Sequence, residues 1–260
     1  MRYGVVSDIH GNLHALRAAV ATLEGRGVDG WLCSGDIVGY GPSPNECIEI
    51  LAGLGAACVA GNHDLMALGR LPGEHAGPLA RRSTDWTRSQ LSEGSKTALD
   101  ALPLSMDVGD VVVGHGSLDD PQRYVRSDRE ARRELDRVSA SAARFLVLGH
   151  THRPWVYSTQ RGTIPLPTGG PARIPPGDRV LVNPGSVGQS RQREPRPLAR
   201  FALIDTGDRS VELFAVRYDV EGCLEALTRH GLPPASIHLE PRLPRVWSQQ
   251  ARRWWRGGPA

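Results

Sequence analysis

Lysine is almost absent. Of 31 basic residues only Lys96 is lysine, and the rest are arginine. Lys96 stands in SEGSKT, outside a Gly-x4-Gly-Lys frame, so the chain is not a P-loop nucleotide hydrolase. Schiff-base chemistry would have to rest on that one side chain. Paired thiols are missing too. Cys33, Cys47, Cys58 and Cys223 form no CxxC and sit among apolar neighbours, as buried thiols in a reducing cytoplasm do. Apolar runs such as Phe145–Leu148 fall far short of the ~20 residues of a membrane helix. The opening MRYGVVSDIH has no apolar signal core, which argues against secretion. A strong charge imbalance is also lacking. The net charge is +3, and residues 241–260 hold five arginines and no acid, so +3 less those five charges leaves residues 1–240 at −2. The body is therefore not a basic nucleic-acid clamp.

At 260 residues, 40% hydrophobic and 23% charged, the chain has the makings of one or two globular domains. The first part alternates strand and helix. Arg2–Val6 reads as a strand ending at Ser7-Asp8, followed by a helix with Leu13, Leu16, Val20 and Leu23 at helical spacing. Trp31–Cys33 is a strand ending at Gly35-Asp36. A helix from Pro44 to Leu54 follows, with Ser43 placed to cap it. Ala56–Ala60 is a third strand, ending at Gly61-Asn62. This is the pattern of a parallel α/β sheet with its site beyond the strand C-terminal ends. His75 to Leu102 reads as helical, with Trp86 and Leu91 on apolar positions. Val111–Val113 is a strand ending at Gly114-His115, Asp128–Val138 is a charged helix, and Phe145–Leu148 is a strand ending at Gly149-His150. Beyond it, Trp155–Ser158, Arg179–Val182, Phe201–Ile204 and Val211–Val216 are strands without intervening helices, which suggests a second, more antiparallel sheet. Residues 165–178 form a Pro/Gly-rich loop, and Asp219–His230 a last helix. No repeat or linker divides the chain.

The strand ends collect chemistry. Asp8 and His10, Asp36, Asn62 and His63, His115, and His150 and His152 all lie where a strand stops, and five of the nine histidines are in this set. The pairs Asp8-x-His10 and His150-x-His152 would point to one side of an extended segment. Any one strand-end Asp or His is an ordinary cap or turn residue. Five such ends in order are not a requirement of folding, and burying the groups without a cation costs several kcal/mol. Leaving His63 aside, two carboxylates, one amide oxygen and four imidazoles make a mixed O/N donor set. It suits Mn, Fe, Zn or Ni better than Mg or Ca. Seven donors are too many for one tetrahedral ion with an open position. Two ions about 3.5 Å apart, sharing one carboxylate, would use them all.

SDIHGN (7–12), GDIVGYG (35–41), GNHD (61–64), GHG (114–116) and GHTH (149–152) resemble, in order, the five motifs of the calcineurin-like metallophosphoesterases. The resemblance covers roughly residues 1–216. It looks closest to the small bacterial phosphodiesterase branch, which has a segment like NPGSVGQ (183–189). It implies an α/β fold, a two-sheet β-sandwich flanked by helices in four αββα layers, with residues 217–260 as a C-terminal helical extension. It also implies two divalent ions, with manganese first among the candidates. Asp8, His10 and His152 would hold one ion, Asn62, His115 and His150 the other, and Asp36 would bridge them. His63 would contact substrate, with Asp64 orienting its ring. A hydroxide made acidic by both ions would attack phosphorus in line, opposite the leaving group.

Related phosphoprotein phosphatases carry GDxVDRG, whose arginine clamps phosphate. Here Gly39 and Tyr40 stand in place of that Asp-Arg pair, which argues against a protein phosphatase and, more weakly, against the related dinucleoside-tetraphosphate hydrolases, which carry the same segment. Two roles fit Tyr40: contact with a substrate group, or a turn aromatic covering the sheet edge. Asn12 touches substrate or caps the helix from Leu13, and the cap is the better reading. Gln189, Arg191 and Arg193 belong to a solvated loop or reach the site mouth to bind a distal phosphate. The tail places Trp247, Trp254 and Trp255 among five arginines, as a grip on single-stranded nucleic acid or a membrane surface, or, as the helical spacing of the tryptophans favours, as a helix packing on the body or a second subunit. The reading is a cytoplasmic phosphoesterase acting on a small phosphodiester or, second, a phosphomonoester. The rivals are a scaffold that has lost catalysis and a nuclease gripping through the tail.

Overall fold

The computed structural model describes residues 1–73, 76–139, 141–165 and 170–239. In chain order the elements are β1 (Arg2–Val6), α1 (Leu13–Glu24), β2 (Gly30–Cys33), α2 (Pro44–Gly53), β3 (Ala57–Cys58), α3 (Asn62–Ala67), α4 (Pro78–Gln90) and α5 (Glu93–Asp100). There follow β4 (Ser105–Val108), β5 (Val111–Gly114), α6 (Asp128–Arg137), β6 (Phe145–Val147), β7 (Trp155–Ser158), β8 (Gly162–Thr163) and β9 (Ala172–Arg173). The last are β10 (Val180–Asn183), β11 (Ala199–Asp205), β12 (Ser210–Val216), α7 (Val220–Arg229) and a 3₁₀ turn (Pro234–Ser236).

The strands form two six-stranded mixed sheets, ordered β3-β2-β1-β11-β12-β9 and β4-β5-β6-β10-β7-β8. Period-two alternation builds the layers. Val5, Leu32, Ala202 and Ile204 of the first sheet meet Val113, Phe145, Val147 and Val182 of the second in one core. The alternate residues Val6, Cys33, Phe201 and Leu203 pack outward with Leu16, Leu23 and Leu51 of α1 and α2. On the far side Val112, Leu146 and Leu181 pack with Ala131 and Leu135 of α6. The result is the expected αββα sandwich.

The division between sheets differs from the sequence expectation. The late strands do not form a sheet of their own. β11 pairs antiparallel with β1, Val5 opposite Ala202, while β10 joins β6 in parallel, Val182 beside Val147. Apolar alternation sets which face of a strand is buried, not which strand lies beside it. β3 has two residues where five were expected. The single helix expected over 75–102 is two. Leu91 turns extended, with φ −62° and ψ 124°, and the Ser92 hydroxyl accepts from the Ser95 amide at 3.1 Å to start α5. Ser43 makes no side-chain cap on α2; its amide donates to the Gly11 carbonyl at 2.9 Å. β4 was not foreseen. It pairs with β5 through a two-residue turn, Gly109-Asp110, with φ +58° at Gly109. The four cysteines are free. No helix among the described residues is long and apolar enough to cross a membrane. The tail tryptophans and arginines, residues 242–256, lie outside the described residues.

Candidate metal centre

Every strand-end group on which the sequence converged lies at the C-terminal edge of one of the two sheets. The chain gets them there by unusual backbone. Seven non-glycine residues have positive φ among the described residues. Six of them are Asp8 (51°), His10 (51°), Asp36 (52°), Tyr40 (56°), His150 (64°) and His152 (58°). The left-handed region costs an L-residue roughly 1–2 kcal/mol, and such strain clusters where a site over-determines the chain. The DxH and HxH pairs therefore converge by left-handed turns past the ends of β1 and β6, not along extended strand. Glycines admit the close approach. A Cβ on Gly149 would lie 2.0 Å from Ser7 Oγ and 2.7 Å from Asp8 Oδ2, and one on Gly61 would lie 2.2 Å from Asp36 Oδ1.

The rings are oriented from behind by carbonyls, which only accept and so fix the tautomer. His10 Nδ1–H donates to Val38 O at 3.2 Å and His152 Nδ1–H to Gln189 O at 2.8 Å. Each then presents a bare Nε2, and the two nitrogens face each other at 3.1 Å. Asp8 Oδ1 is 3.2 Å from His152 Nε2 and 3.9 Å from His10 Nε2. Asp36 Oδ2 lies 3.3 Å from His115 Nε2 and 3.8 Å from His10 Nε2, so it stands between two clusters. Asn62 Oδ1 is 3.1 Å from His115 Nε2, whose ring is held by Ser34 O at 2.7 Å. His150 is turned the other way: its Nε2–H donates to Gln122 O at 3.0 Å, which leaves Nδ1 inward.

Asp8 Oδ1 and Asp36 Oδ2 are buried with no hydrogen-bond partner. Orphaned carboxylate oxygens beside facing lone pairs are destabilising by themselves and are what a cation relieves. Three groupings have donor atoms within 4.8 Å of one another: Asp8–His10–His152, Asp36–His115–His150 and His10–Asp36–His63. The donor set fits divalent metal.

The electrostatics agree. Burial opposes ionisation of Asp8 and Asp36, yet the histidines win: His152 first at Asp8 and His115 first at Asp36 hold both carboxyls well below the ordinary range. Burial drives His10 well down, and His150 down to about 3. Burial also opposes the charged form of His115, but the negative charge of Asp36 beside it pushes that ring up to about 9. At pH 7 the metal-free chain therefore carries His115 as imidazolium. A cation taking its Nε2 must displace that proton. Calorimetric Mn²⁺ titration at pH 7, in buffers of different ionisation enthalpy, is expected to show release of about one proton per chain, fading above pH 9. A binding enthalpy independent of buffer would exclude His115 Nε2 as donor.

The centre opens on a cleft of ≈ 360 Å³ whose walls include Tyr40, Asn62, His63, Met66, Tyr124 and Arg191. Tyr40 packs against His63 (4.6 Å between centroids) and edge-on to His10 (4.7 Å), so it is part of the cleft wall. His63 donates its amide N–H to Asp36 Oδ1 at 2.7 Å, and its Nδ1 is buried without a partner.

One expected contact is not made, and of the two readings of Asn12 the cap is the one formed. Asp64 does not reach the His63 ring. Its carboxylate accepts from Val38 N at 3.0 Å and Gly61 N at 2.9 Å, because the N3 position of α3 turns the side chain back onto the helix start. Asn12 is fully buried and offers substrate nothing. Its Oδ1 caps α1 at Ala15 N (3.0 Å), and its Nδ2 donates to Gly188 O (3.0 Å) and to the Tyr218 hydroxyl. Arg191 reaches the cleft; Arg193 is exposed outside it.

No motif pointed to Tyr124. Its ring stacks on His150 at 3.9 Å and 22°, with the Arg126 guanidinium 3.7 Å above its centre. Together with Gln122 O it locks that imidazole. Tyr124→Ala is expected to weaken metal affinity about tenfold or more, while Tyr124→Phe keeps it and metal-free unfolding barely shifts. A competing-chelator titration measures this, and equal affinities would make the stack incidental.

With this geometry in view, comparisons with known proteins agree. The sequence model described as the calcineurin-like phosphoesterase superfamily domain matches residues 1–209. An uncharacterized protein of Methanocaldococcus jannaschii is 32% identical over 235 residues, 88% of this chain and 93% of its own. The crystal structure of a metallophosphoesterase from Sphaerobacter thermophilus is similar at TM-score 0.77 and 32% identity, over 91% of this chain and 96% of that one. A hypothetical protein of Pyrococcus horikoshii OT3 shares the fold at TM-score 0.74 and 21% identity, over 91% and 96%. The similarity thus extends to archaeal as well as bacterial proteins.

Proposed function

The chain belongs to the calcineurin-like phosphoesterase superfamily, and from that premise we propose that it hydrolyses a small phosphodiester with two divalent transition metal ions, manganese foremost. Asp8, His10 and His152 would hold one ion, and Asn62, His115 and His150 the other. Asp36 is shared. The observation that carries this reading is the facing pair of His10 and His152 Nε2 atoms at 3.1 Å beside the unpartnered Asp8 Oδ1 and Asp36 Oδ2. When bound, the ions make water acidic enough to attack at neutral pH and offset the charge of the phosphate.

The chain's own residues do the rest. Carbonyls of Val38, Gln189, Ser34 and Gln122 fix the four rings, so little reorganisation accompanies the reaction. His63 Nε2 has no protein partner and is not sealed in, so it faces the cleft that the ring lines. Burial pushes His63 down to about 4, so at neutral pH it is a neutral N–H donor to a phosphate or leaving oxygen. Asp64, by holding Val38 and Gly61, ties the second and third strand-end loops together. All seven proposed metal donors and His63 are present, which weighs against an inert scaffold. A reducing, cytoplasmic setting suits the four free cysteines.

The test is a pair of initial rates on chelator-stripped protein with Mn²⁺ restored. Bis-p-nitrophenyl phosphate is expected to turn over faster than p-nitrophenyl phosphate, and both to stop on chelation. Faster monoester turnover would replace the diester assignment. No metal-dependent turnover of either ester would overturn the reading.

A further inference from the structure

The cleft has a cation in its wall that the reading above does not use. Arg191 follows the NPGSVGQ segment after β10 and lines the cleft beside Tyr40, His63 and His152. It is held from behind. Gln189 is fully buried, its Nε2 donates to the carbonyls of Ala235 (3.4 Å) and Ser236 (3.3 Å), and its Oε1 accepts from Arg191 Nε at 3.1 Å. Two nearby arginines are neutralised, Arg196 by Glu221 at 2.9 Å and Arg200 by Glu194 at 2.5 Å, while Arg153 and Arg193 lie exposed outside the cleft. Arg191 pairs with no carboxylate among the described residues, and only its Nε is engaged there. Nor does it fold onto the orphaned oxygens of Asp8 or Asp36, although both are unpartnered. The Gln189 tether keeps it at the rim, yet close enough that its charge bears on His63 and His152. A long side chain ordered this way gives up rotamer entropy without a protein counter-charge in return.

We propose that Arg191 receives a second anionic group of the substrate, so that the site takes phosphoesters carrying a further phosphate beyond the scissile one. This rests on the phosphoesterase reading and narrows its substrate class. The Asp/His cluster would take the scissile phosphate. The two free Nη groups present the paired N–H geometry that grips two oxygens of one phosphate. Esters without that second charge would leave Arg191 facing water, which costs affinity and not turnover.

Calorimetry on the Mn²⁺-loaded full chain tests this without relying on turnover, with inorganic phosphate and methylenebisphosphonate as probes and Mn²⁺ in excess over either. Wild type is expected to bind the bisphosphonate at least about tenfold more tightly than phosphate. Arg191→Gln should lose most of that preference, Arg191→Lys part of it, and Arg193→Gln, outside the cleft, none. No preference in wild type, or equal loss for both probes in Arg191→Gln, would overturn the assignment. Turnover of bis-p-nitrophenyl phosphate by the same preparation reports separately on the phosphoesterase reading. A bisphosphonate preference without any ester turnover would sink that reading and leave Arg191 as an anion receptor.

Discussion

Asp36→Asn is expected to lower kcat/KM for any ester the protein hydrolyses by at least about 10³-fold and to cut bound divalent ions from about two per chain to one or none. The substitution is nearly isosteric, so its effect falls on charge and donor type. Asp36 Oδ1 accepts the His63 amide at 2.7 Å, and an amide oxygen can keep that bond. Oδ2, which stands between His115 and His10 at 3.3 and 3.8 Å, would become an NH₂ that repels a cation and cannot bridge two. A stability effect comes with it. The histidines hold Asp36 well below the ordinary carboxylate range against its burial, and it holds His115 up. A lowered carboxyl pKa contributes stability above the unfolded value, near 3.8, that is lost as pH falls through the folded one. The discriminating readout is the increment in Tm on adding Mn²⁺. It should be large in wild type and nearly gone in the variant. An undiminished increment would mean that Asp36 serves folding alone.

The sequence made the donor set legible because each member is forced into the same local situation. A parallel strand must end, and the chain must turn over the sheet edge to reach the next helix; glycines such as Gly61 and Gly149 mark the close approaches. The reason offered for the paired motifs was incomplete. Alternation along an extended strand does not bring Asp8 to His10; two left-handed residues do, and nothing in the identities of Asp and His announces φ near +51°. Asp64 was readable in principle. Asp64 stands three residues after the N-cap Gly61, where a carboxylate can turn back to the N-cap amide, and Gly61 N–H does donate to it at 2.9 Å. Tyr124 was not readable. It is nine residues beyond His115 in a loop without a motif, and only the path of that loop brings it over His150. Sheet order failed for a related reason. β1, β11 and β12 have interchangeable apolar alternation, so their neighbours are set by long-range packing of Phe201 and Leu203 with α1.

His63 is the residue on which the chemistry turns, and two of its features pull apart. One of its nitrogens falls within metal-binding reach of His10 and Asp36, so geometry alone admits it as a third donor. Its position argues otherwise. Nδ1 is buried against the Gly39 backbone, where a Cβ would lie 2.7 Å away, and the ring is wedged between Tyr40 and His10 at 4.6 and 4.9 Å. A ring held by its flanks with one nitrogen sealed serves as a fixed hydrogen-bond donor through the other. His63→Ala should then lower kcat by roughly 10²–10⁴ and leave the metal count and its affinity as in wild type. His63→Gln, which can return an N–H near the Nε2 position, should recover part of the loss. The effect should also depend on the leaving group. An ester whose leaving oxygen is strongly basic needs a proton or a donor more than p-nitrophenolate does, so the deficit should grow as leaving-group pKa rises. Metal analysis and a leaving-group series together decide the role. Loss of one ion in His63→Ala would make the ring a metal donor. A deficit that is flat across the series would move its hydrogen bond from the leaving group to the non-bridging oxygens of the phosphate.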